Sequence, residues 1–307
     1  MKHDTAGDPI SGLKWTKRTT RKLVAELATL GIAVSKNTVG KLLKSLNFSL
    51  RVNHKKRSTG SSLDRDHQFT YIATLRDQFA ANGNPVISVD TKKRELVGRF
   101  KNPGHAWRDR ALRVNDHDFR SDAIGVAIPY GIYDERGNRG HVFVGTSYDT
   151  PAFAVDSIAA WWRLDGVRRY GGCTDLLILA DAGGSNSATT RAWKDHLQTK
   201  LADRYGLSVT VSHYPTGASK WNPIEHRLFS EISKNWAGEP LESYERILKF
   251  IRTTKTNRGL RVRARLVRKQ YEKGAQVSDV RMDELCLIRH DVLPKWNYTI
   301  SPMGNGQ

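Results

Sequence analysis

The sequence predicts an α/β fold in which a mixed sheet is preceded by a small all-α region. Three observations lead to this prediction. Two short segments near the N-terminus have helical periodicity, and three β-rich segments then follow one another. From residue 150 to residue 235, helical segments alternate with apolar segments of strand length. At 307 residues the chain is long enough for one large domain and one small one.

Residues 1–50 contain two short amphipathic segments. Thr19 or Thr20 can cap the first helix, and Gly31 stands where a left-handed residue would end it. Ser35 can cap the second, whose apolar positions have helical spacing from Val39 onward. The spacing leaves four polar residues of the second helix pointing outward: Lys36, Asn37, Lys41 and Lys44. The pattern indicates a helix-turn-helix region that binds DNA through these residues. An ordinary helical hairpin with solvated lysines is the alternative.

Residues 51–64 are polar, basic and rich in Gly and Ser, which is typical of a linker. Lys55, Lys56 and Arg57 stand together in this segment, so we expect them to follow a phosphate backbone. A helix from about Arg65 to Ala81 comes next, and its apolar stripe predicts packing against a core.

The charge of the chain favours a polyanionic partner. Fifty Lys and Arg residues against 31 Asp and Glu residues leave a formal net charge of +19, spread along the sequence. Nucleic acid is the usual partner of such a field. A membrane is disfavoured, since no apolar run approaches the roughly 18 residues of a span. Cys173 and Cys286 are far apart, which excludes a cysteine-built zinc site and fits a reducing cytoplasm.

The domain that we predict over residues 65–257 has a recognisable order of elements. A strand from Pro85 to Asp90 comes first, and two strands joined by a short turn follow an irregular basic segment. A helix opened by Thr150 and Pro151 begins the second half. The remaining predicted elements are a strand over 176–180, a helix over 189–205, a strand over 209–211 and a helix over 222–235. A three-strand meander followed by αβαβα is the ribonuclease H-like order.

Three acids stand at matching places in this order. Asp90 and Asp181 each end a core strand, and the first and fourth strands of such a sheet are neighbours. Glu225 stands early in the last helix. Two Asp and one Glu form the oxygen-ligand set that Mg²⁺ needs, and two ions about 3.5–4 Å apart can clamp a phosphodiester. Taken alone, Asp90 is better explained as the cap of the following turn, and it is the other two acids that favour a site. Other acids have structural explanations: Asp134, Glu135, Asp149, Glu231 and Glu239.

Long strings around these acids resemble one family. VISVDTKKRELVG, AIPYGIYD, DTPAFAV, LLILADAGGSN, SKWNPIEHRLFS and KWNYTI are similar to the DDE transposases of bacterial insertion sequences, specifically the Rhodopirellula-type (ISAzo) family. The resemblance implies a ribonuclease H-like catalytic domain with Asp90, Asp181 and Glu225 as metal ligands. The string Asn222-Pro223-Ile224-Glu225 also resembles the Asn-Pro-x-Glu string of the wider Tc/mariner-like superfamily. Such proteins usually carry further N-terminal DNA-binding helices, so we expect recognition of element ends to need them.

Residues 258–307 are predicted to form a basic C-terminal extension. Arg261, Arg263 and Arg265 alternate with apolar residues, so a strand would place all three on one side, where they can contact phosphate. A solvated edge is the alternative. Lys92 and Lys93, beside Asp90, are also expected to contact DNA phosphate.

These observations lead to the hypothesis of a transposase that uses Mg²⁺ (or Mn²⁺), two ions, to cut DNA at element ends and join it to target DNA. Double-stranded DNA is the expected partner, and we expect a homodimer or higher oligomer on DNA in the bacterial cytoplasm, associated with the nucleoid. One alternative is a catalytically inactive DNA-binding relic or repressor of the same fold. Another is a structure-selective nuclease that never joins strands.

Overall fold

The computed structural model describes residues 5–7, 14–16, 19–46, 48, 62–218 and 221–304. The chain divides into two compact units, residues 1–57 and residues 58–307. The division falls inside the segment predicted as a linker, of which residues 51–61, including Lys55, Lys56 and Arg57, lie outside the described part of the chain. Each unit is considered by itself.

The first unit contains a short hairpin and the two predicted helices. Strands β1 (Thr5–Gly7) and β2 (Lys14–Thr16) pair antiparallel, and helices α1 (Thr20–Thr29) and α2 (Lys36–Ser45) follow. Thr19 caps α1 by accepting from the Lys22 amide at 3.3 Å, and Ser35 caps α2 by accepting from the Thr38 amide at 3.1 Å. Each helix buries one apolar side chain, Leu23 or Val39. The predicted apolar faces are therefore only partly covered among the described residues, since Leu30, Leu42 and Leu46 are exposed.

The second unit is built on a mixed sheet. Its first elements are α3 (Ser62–Ala81), β3 (Val86–Thr91), β4 (Glu95–Val97), β5 (Gly125–Asp134) and β6 (Arg139–Gly145). Its middle elements are α4 (Pro151–Trp161), α5 (Val167–Tyr170), β7 (Asp175–Asp181), α6 (Arg191–Leu197), α7 (Asp203–Tyr205) and β8 (Ser208–Tyr214). Its last elements are α8 (Ser230–Asn235), α9 (Tyr244–Thr253), β9 (Arg261–Val267), α10 (Asp279–Asp283), β10 (Leu287–Arg289) and β11 (Asn297–Ile300).

The strand order confirms the predicted arrangement at the centre of the sheet. Along the sheet the strands run β10-β11-β8-β7-β3-β5-β6-β9, and β4 pairs with β5. Strands β3, β5 and β6 form the antiparallel meander, whereas β7 pairs parallel with β3 and β8 pairs parallel with β7. The carboxyl ends of β3, β7 and β8 therefore meet at one edge.

The helices cover both faces of the sheet. Thr150 caps α4 with Pro151 in the first turn, and the helix buries Phe153, Ile158 and Trp161 on one face. The other face is covered by α9 and by a helix that begins at Pro223, forms a π-helical turn over Glu225–Phe229 and continues as α8. A second π-helical turn, Gln198–Ala202, divides the predicted helix over 189–205.

Residues 258–307, predicted as a basic extension, supply three strands of the sheet. Strand β9 pairs parallel with β6 at one end of the sheet, and β11 pairs with β8 near the other. Alternating Arg and apolar residues suit this position because Val262 and Ala264 enter the core beside α9 while the arginines face away. The alternation that predicted an exposed arm therefore belongs to an edge strand with one buried face.

Candidate active site

Two of the predicted acids lie side by side at the edge of the sheet. Strands β3 and β7 are parallel, and Val89 pairs with Ala180, so Asp90 and Asp181 leave the sheet at the same level. Both line a cavity of about 420 Å³, together with the loop 182–185 that follows β7. The apolar strands fix these positions because Val89 and Ala180 are fully buried.

The third acid reaches this pair from the helix that begins at Pro223. Glu225 lies close enough to Asp90 for its negative charge to raise the pKa of the Asp90 carboxyl. The helix can approach because Gly131, which pairs with Asp90, has no side chain. A methyl group at position 131 would lie 2.5 Å from the Phe229 ring and 2.8 Å from Ile224. The structure thus brings together Asp90, Asp181 and Glu225.

The electrostatics of the three acids reflect burial and mutual repulsion. Burial, together with the negative charges of Asp181 and Glu225, raises the pKa of Asp90 to about 8. The pKa of Asp181 is also raised, first by burial and then by Glu225, although a hydrogen bond from Asn222 opposes the rise. Two cationic side chains that line the same cavity form ion pairs with acids other than these three: Lys92 with Glu95 at 3.0 Å and Arg94 with Asp149 at 4.0 Å.

Buried carboxylates that repel one another in this way favour a bound cation. No group of three or more His, Cys, Asp or Glu side chains in the described ranges meets the geometry of a formed metal site. The available donors are carboxylate oxygens, with neither thiolate nor imidazole lining the cavity. This donor set fits Mg²⁺ or Mn²⁺.

A buried amide holds the second acid in place. The Asn222 side chain is fully buried, and its Nδ2 donates to Asp181 Oδ1 at 3.0 Å. Its Oδ1 accepts a short hydrogen bond from Ser88 Oγ, which in turn accepts from the Ile224 amide at 3.0 Å. The Asn222–Ser88 pair therefore connects β3, the end of β7 and the start of the helix that carries Glu225.

A second chain of hydrogen bonds fixes the main chain at Asp181. Trp193 Nε1 can only donate and bonds the Tyr298 hydroxyl at 2.9 Å. The hydroxyl then donates to His213 Nε2 at 3.2 Å, and His213 Nδ1 donates to the Asp181 carbonyl at 3.1 Å. These directions require a neutral imidazole. Burial lowers the pKa of His213 to about 4, which keeps it neutral.

Asp149 also lines the acidic cavity, although its place before α4 predicts a helix cap. Thr150 is the cap instead, accepting from the Phe153 amide at 3.2 Å. Asp149 Oδ1 accepts from Thr91 Oγ1 at 3.1 Å, and the Thr91 amide donates to Asp90 Oδ1 at 2.7 Å. The signal in the sequence is the Thr between Asp149 and Pro151, which is itself a good cap and leaves the Asp without that role.

The predicted DNA-contacting residues fall into two groups. Lys93, Arg261 and Arg265 are exposed, as are the four residues named on α2, Lys36, Asn37, Lys41 and Lys44. Lys92 is buried against the Trp236 ring at 4.5 Å and pairs with Glu95, so it serves the fold. Arg263 bonds the buried carboxylate of Asp165 at 3.5 Å.

No described helix is both long enough and apolar enough to cross a membrane.

A comparison with curated proteins gave no match. Solved structures gave several at 15% identity. The Mos1 transposase paired-end complex with left transposon end covers 76% of this chain and 65% of its own, with a TM-score of 0.44. The match to the Mos1 strand transfer complex covers 76% of this chain and 64% of the Mos1 chain, with a TM-score of 0.46. The match to the catalytic domain of Mos1 mariner transposase covers 64% of this chain and 81% of that domain's chain, with a TM-score of 0.40.

The chain spans slightly less than two thirds of the Mos1 transposase chains in those two complexes. The match at the level of sequence families is more extensive. The family described as Rhodopirellula transposase DDE domain matches residues 1–302, which is nearly the whole chain, and the protein therefore belongs to this family of DDE transposases.

Proposed function

We propose that this protein is a DNA transposase that cuts DNA at the ends of an insertion sequence and joins the cut strand to target DNA. The observation that carries the proposal is the convergence of Asp90, Asp181 and Glu225 from β3, β7 and the helix beginning at Pro223. Their oxygen donors suit divalent cations that assist phosphoryl transfer. Membership of the DDE transposase family agrees with this chemistry.

Each acid has a defined part in the proposal. Asp90, Asp181 and Glu225 would hold Mg²⁺ or Mn²⁺, two ions in our proposal. When bound, such ions supply positive charge to the attacking and leaving oxygens of a phosphodiester. Asn222 keeps Asp181 oriented, and the hydrogen bond between the Thr91 amide and Asp90 orients the other carboxylate. Lys93, exposed at the rim of the cavity, is placed to contact a DNA phosphate.

The proposed reaction also assigns the DNA-contacting residues and the oligomeric state. Helices α1 and α2 form a DNA-binding helix-turn-helix region in this proposal, with Lys36, Asn37, Lys41 and Lys44 toward the duplex. Arg261 and Arg265 contact phosphate from the exposed side of β9. Because two element ends must be handled together, we expect at least a homodimer on DNA.

Strand cleavage and strand joining on a duplex that contains an element end test the proposal. With Mg²⁺ present, Asp90→Asn, Asp181→Asn and Glu225→Gln should each lower both activities by more than about 100-fold, since even supporting residues of a metal site cost 10–100-fold. Asp175→Asn is the matched control, because Asp175 begins the strand that Asp181 ends and should keep normal activity.

Three results would contradict parts of the proposal. Full activity of Asp90→Asn or Asp181→Asn would overturn the assignment of the acids. DNA binding without any metal-dependent cleavage by the unmodified protein would identify a DNA-binding relic. Cleavage without joining would identify a nuclease.

A further inference from the structure

A second cavity, of about 890 Å³, lies beside the helix that carries Glu225. We call it the basic groove. The residues of its wall that matter here come from α3, from the turn after β5, from the helix beginning at Pro223 and from the loop between α9 and β9: Arg76, Asn138, Arg227, Glu231, Lys255 and Arg258. The acidic cavity and the basic groove share no lining residue.

The charge of the basic groove is strongly positive. Four cationic side chains line it against one carboxylate, Glu231, and this carboxylate is already paired with Lys234 at 2.6 Å. Arg76 bonds Glu135 through its Nε at 3.0 Å. The side chains of Arg227, Lys255 and Arg258 form no ion pair with any residue that the structure describes, and all three are exposed. Three cations that lack an ion-pair partner among the described residues, set around one concave surface, favour an anionic ligand.

The loop that presents two of these cations is held in one conformation. The Gly259 amide donates to the Thr256 carbonyl at 3.0 Å, and the Leu260 amide donates to Thr256 Oγ1 at 3.3 Å. Asn138 Nδ2 donates to the Arg258 carbonyl at 2.8 Å, which ties the loop to the turn after β5. Because these bonds already order the loop backbone, binding through Lys255 and Arg258 does not carry the added cost of ordering that backbone.

The basic groove begins close to the acids. Pro223 lines it, and the next residue back along the chain, Asn222, holds Asp181. The helix that carries Glu225 also carries Arg227 and Glu231, which line the groove. This helix therefore connects the two sites.

We propose that the basic groove is a binding site for the sugar-phosphate backbone of double-stranded DNA, with Arg227, Lys255 and Arg258 contacting phosphates. The choice of DNA rests on the proposed function, but binding at this site requires none of the three acids. The groove is a poor fit for an apolar ligand because Pro223 and Leu260 are its apolar lining residues in the described chain.

The test is the salt dependence of DNA binding, measured by fluorescence anisotropy on the full chain with a labelled mixed-sequence duplex and no divalent metal. Lys255→Ala/Arg258→Ala should reduce the magnitude of the slope of log K against log salt by about 1.8, or about 0.9 per lost phosphate contact. The unmodified protein would then lose about twelvefold more affinity than this variant between about 50 and 200 mM salt.

The matched control is Arg204→Ala/Lys249→Ala, which removes two exposed cations from elsewhere on the second unit. It lowers the net charge equally and should leave the slope unchanged. Equal slopes for the two double variants would overturn the proposal. A groove variant that binds DNA normally but no longer binds poly-glutamate would also overturn it, because this result would indicate that the groove binds an acidic protein. The two proposals are tested separately: cleavage by the acid variants tests the proposed function, and the salt dependence of the groove variant tests the DNA-binding site.

Discussion

Replacing Asn222 with Ala tests how the site is held together. Asn222 donates to the Asp181 carboxylate at 3.0 Å and accepts from Ser88, with its side chain fully buried. A hydrogen bond to a charged group contributes about 1.5–3 kcal/mol, and leaving the Ser88 hydroxyl unpaired costs about 1–3 kcal/mol more. Water can partly replace the amide at Asp181, which is not fully buried. We therefore expect Asn222→Ala to lower the free energy of unfolding by about 3 kcal/mol.

Urea denaturation of the full chain, followed by tryptophan fluorescence, measures this loss, because Trp161 and Trp193 are buried in the second unit. For a unit of this size the midpoint of thermal unfolding should fall by about 6–12 °C. In a double-mutant cycle, Ser88→Ala and Asn222→Ala should show a coupling energy of about 1 kcal/mol or more, since each is the other's partner.

The reasoning would be refuted by either of two results. A loss below about 1 kcal/mol for Asn222→Ala would mean that the amide does not stabilise the Asp181 carboxylate or the Ser88 hydroxyl. Additive losses in the two single variants would mean that Ser88 and Asn222 act separately. If the reasoning holds, the Asn222→Ala variant should also lose metal-dependent cleavage at temperatures where it remains folded.

Two further predictions concern the elements that support the site. His213 is neutral in the folded protein because its pKa is about 4, whereas an unfolded histidine has a pKa near 6.5. Between these pH values the unfolded chain therefore binds more protons than the folded protein. The free energy of unfolding should fall by up to about 1.4 kcal/mol per pH unit from pH 6.5 down to 4. His213→Gln should weaken this dependence, whereas His117→Gln, at an exposed histidine, should not. An unchanged pH dependence in His213→Gln would contradict the assignment. Gly131→Ala should lower the free energy of unfolding by about 1–3 kcal/mol in urea denaturation, because the new methyl group meets Phe229 and Ile224. Gly172→Ala, which has open space around it, should cost less than about 0.5 kcal/mol, and equal losses in the two variants would contradict the close approach of the helix.

The centre of the sheet was predictable because its signals are local. The apolar runs that end at Asp90 and Asp181 specify buried parallel strands, and their shared direction places both acids at one edge. Thr150 before Pro151 likewise marks the start of α4. The π-helical turn over Glu225–Phe229 has no such local signal in the sequence, and the residue against which Ile224 and Phe229 pack, Gly131, is far away along the chain.

The remaining features depend on contacts between distant parts of the chain. Lys92 has the sequence environment of a phosphate-contacting lysine, but Glu95 and Trp236 enclose it. The pairing of β9 with β6 spans more than a hundred residues, so alternating arginines alone do not distinguish an arm from an edge strand. Asp149 reaches the acidic cavity because of how the chain turns after β6, and no periodicity encodes that turn.

Both flanks of the sheet are completed by residues late in the chain. During synthesis the central strands β3 to β8 are available once residue 214 has emerged, while the outer backbone groups of β6 and β8 wait for β9 and β11. An unfinished chain would therefore expose two unpaired strand edges at once, and such edges pair readily with other chains. Chains interrupted before residue 261 should therefore aggregate rather than persist as a smaller folded domain.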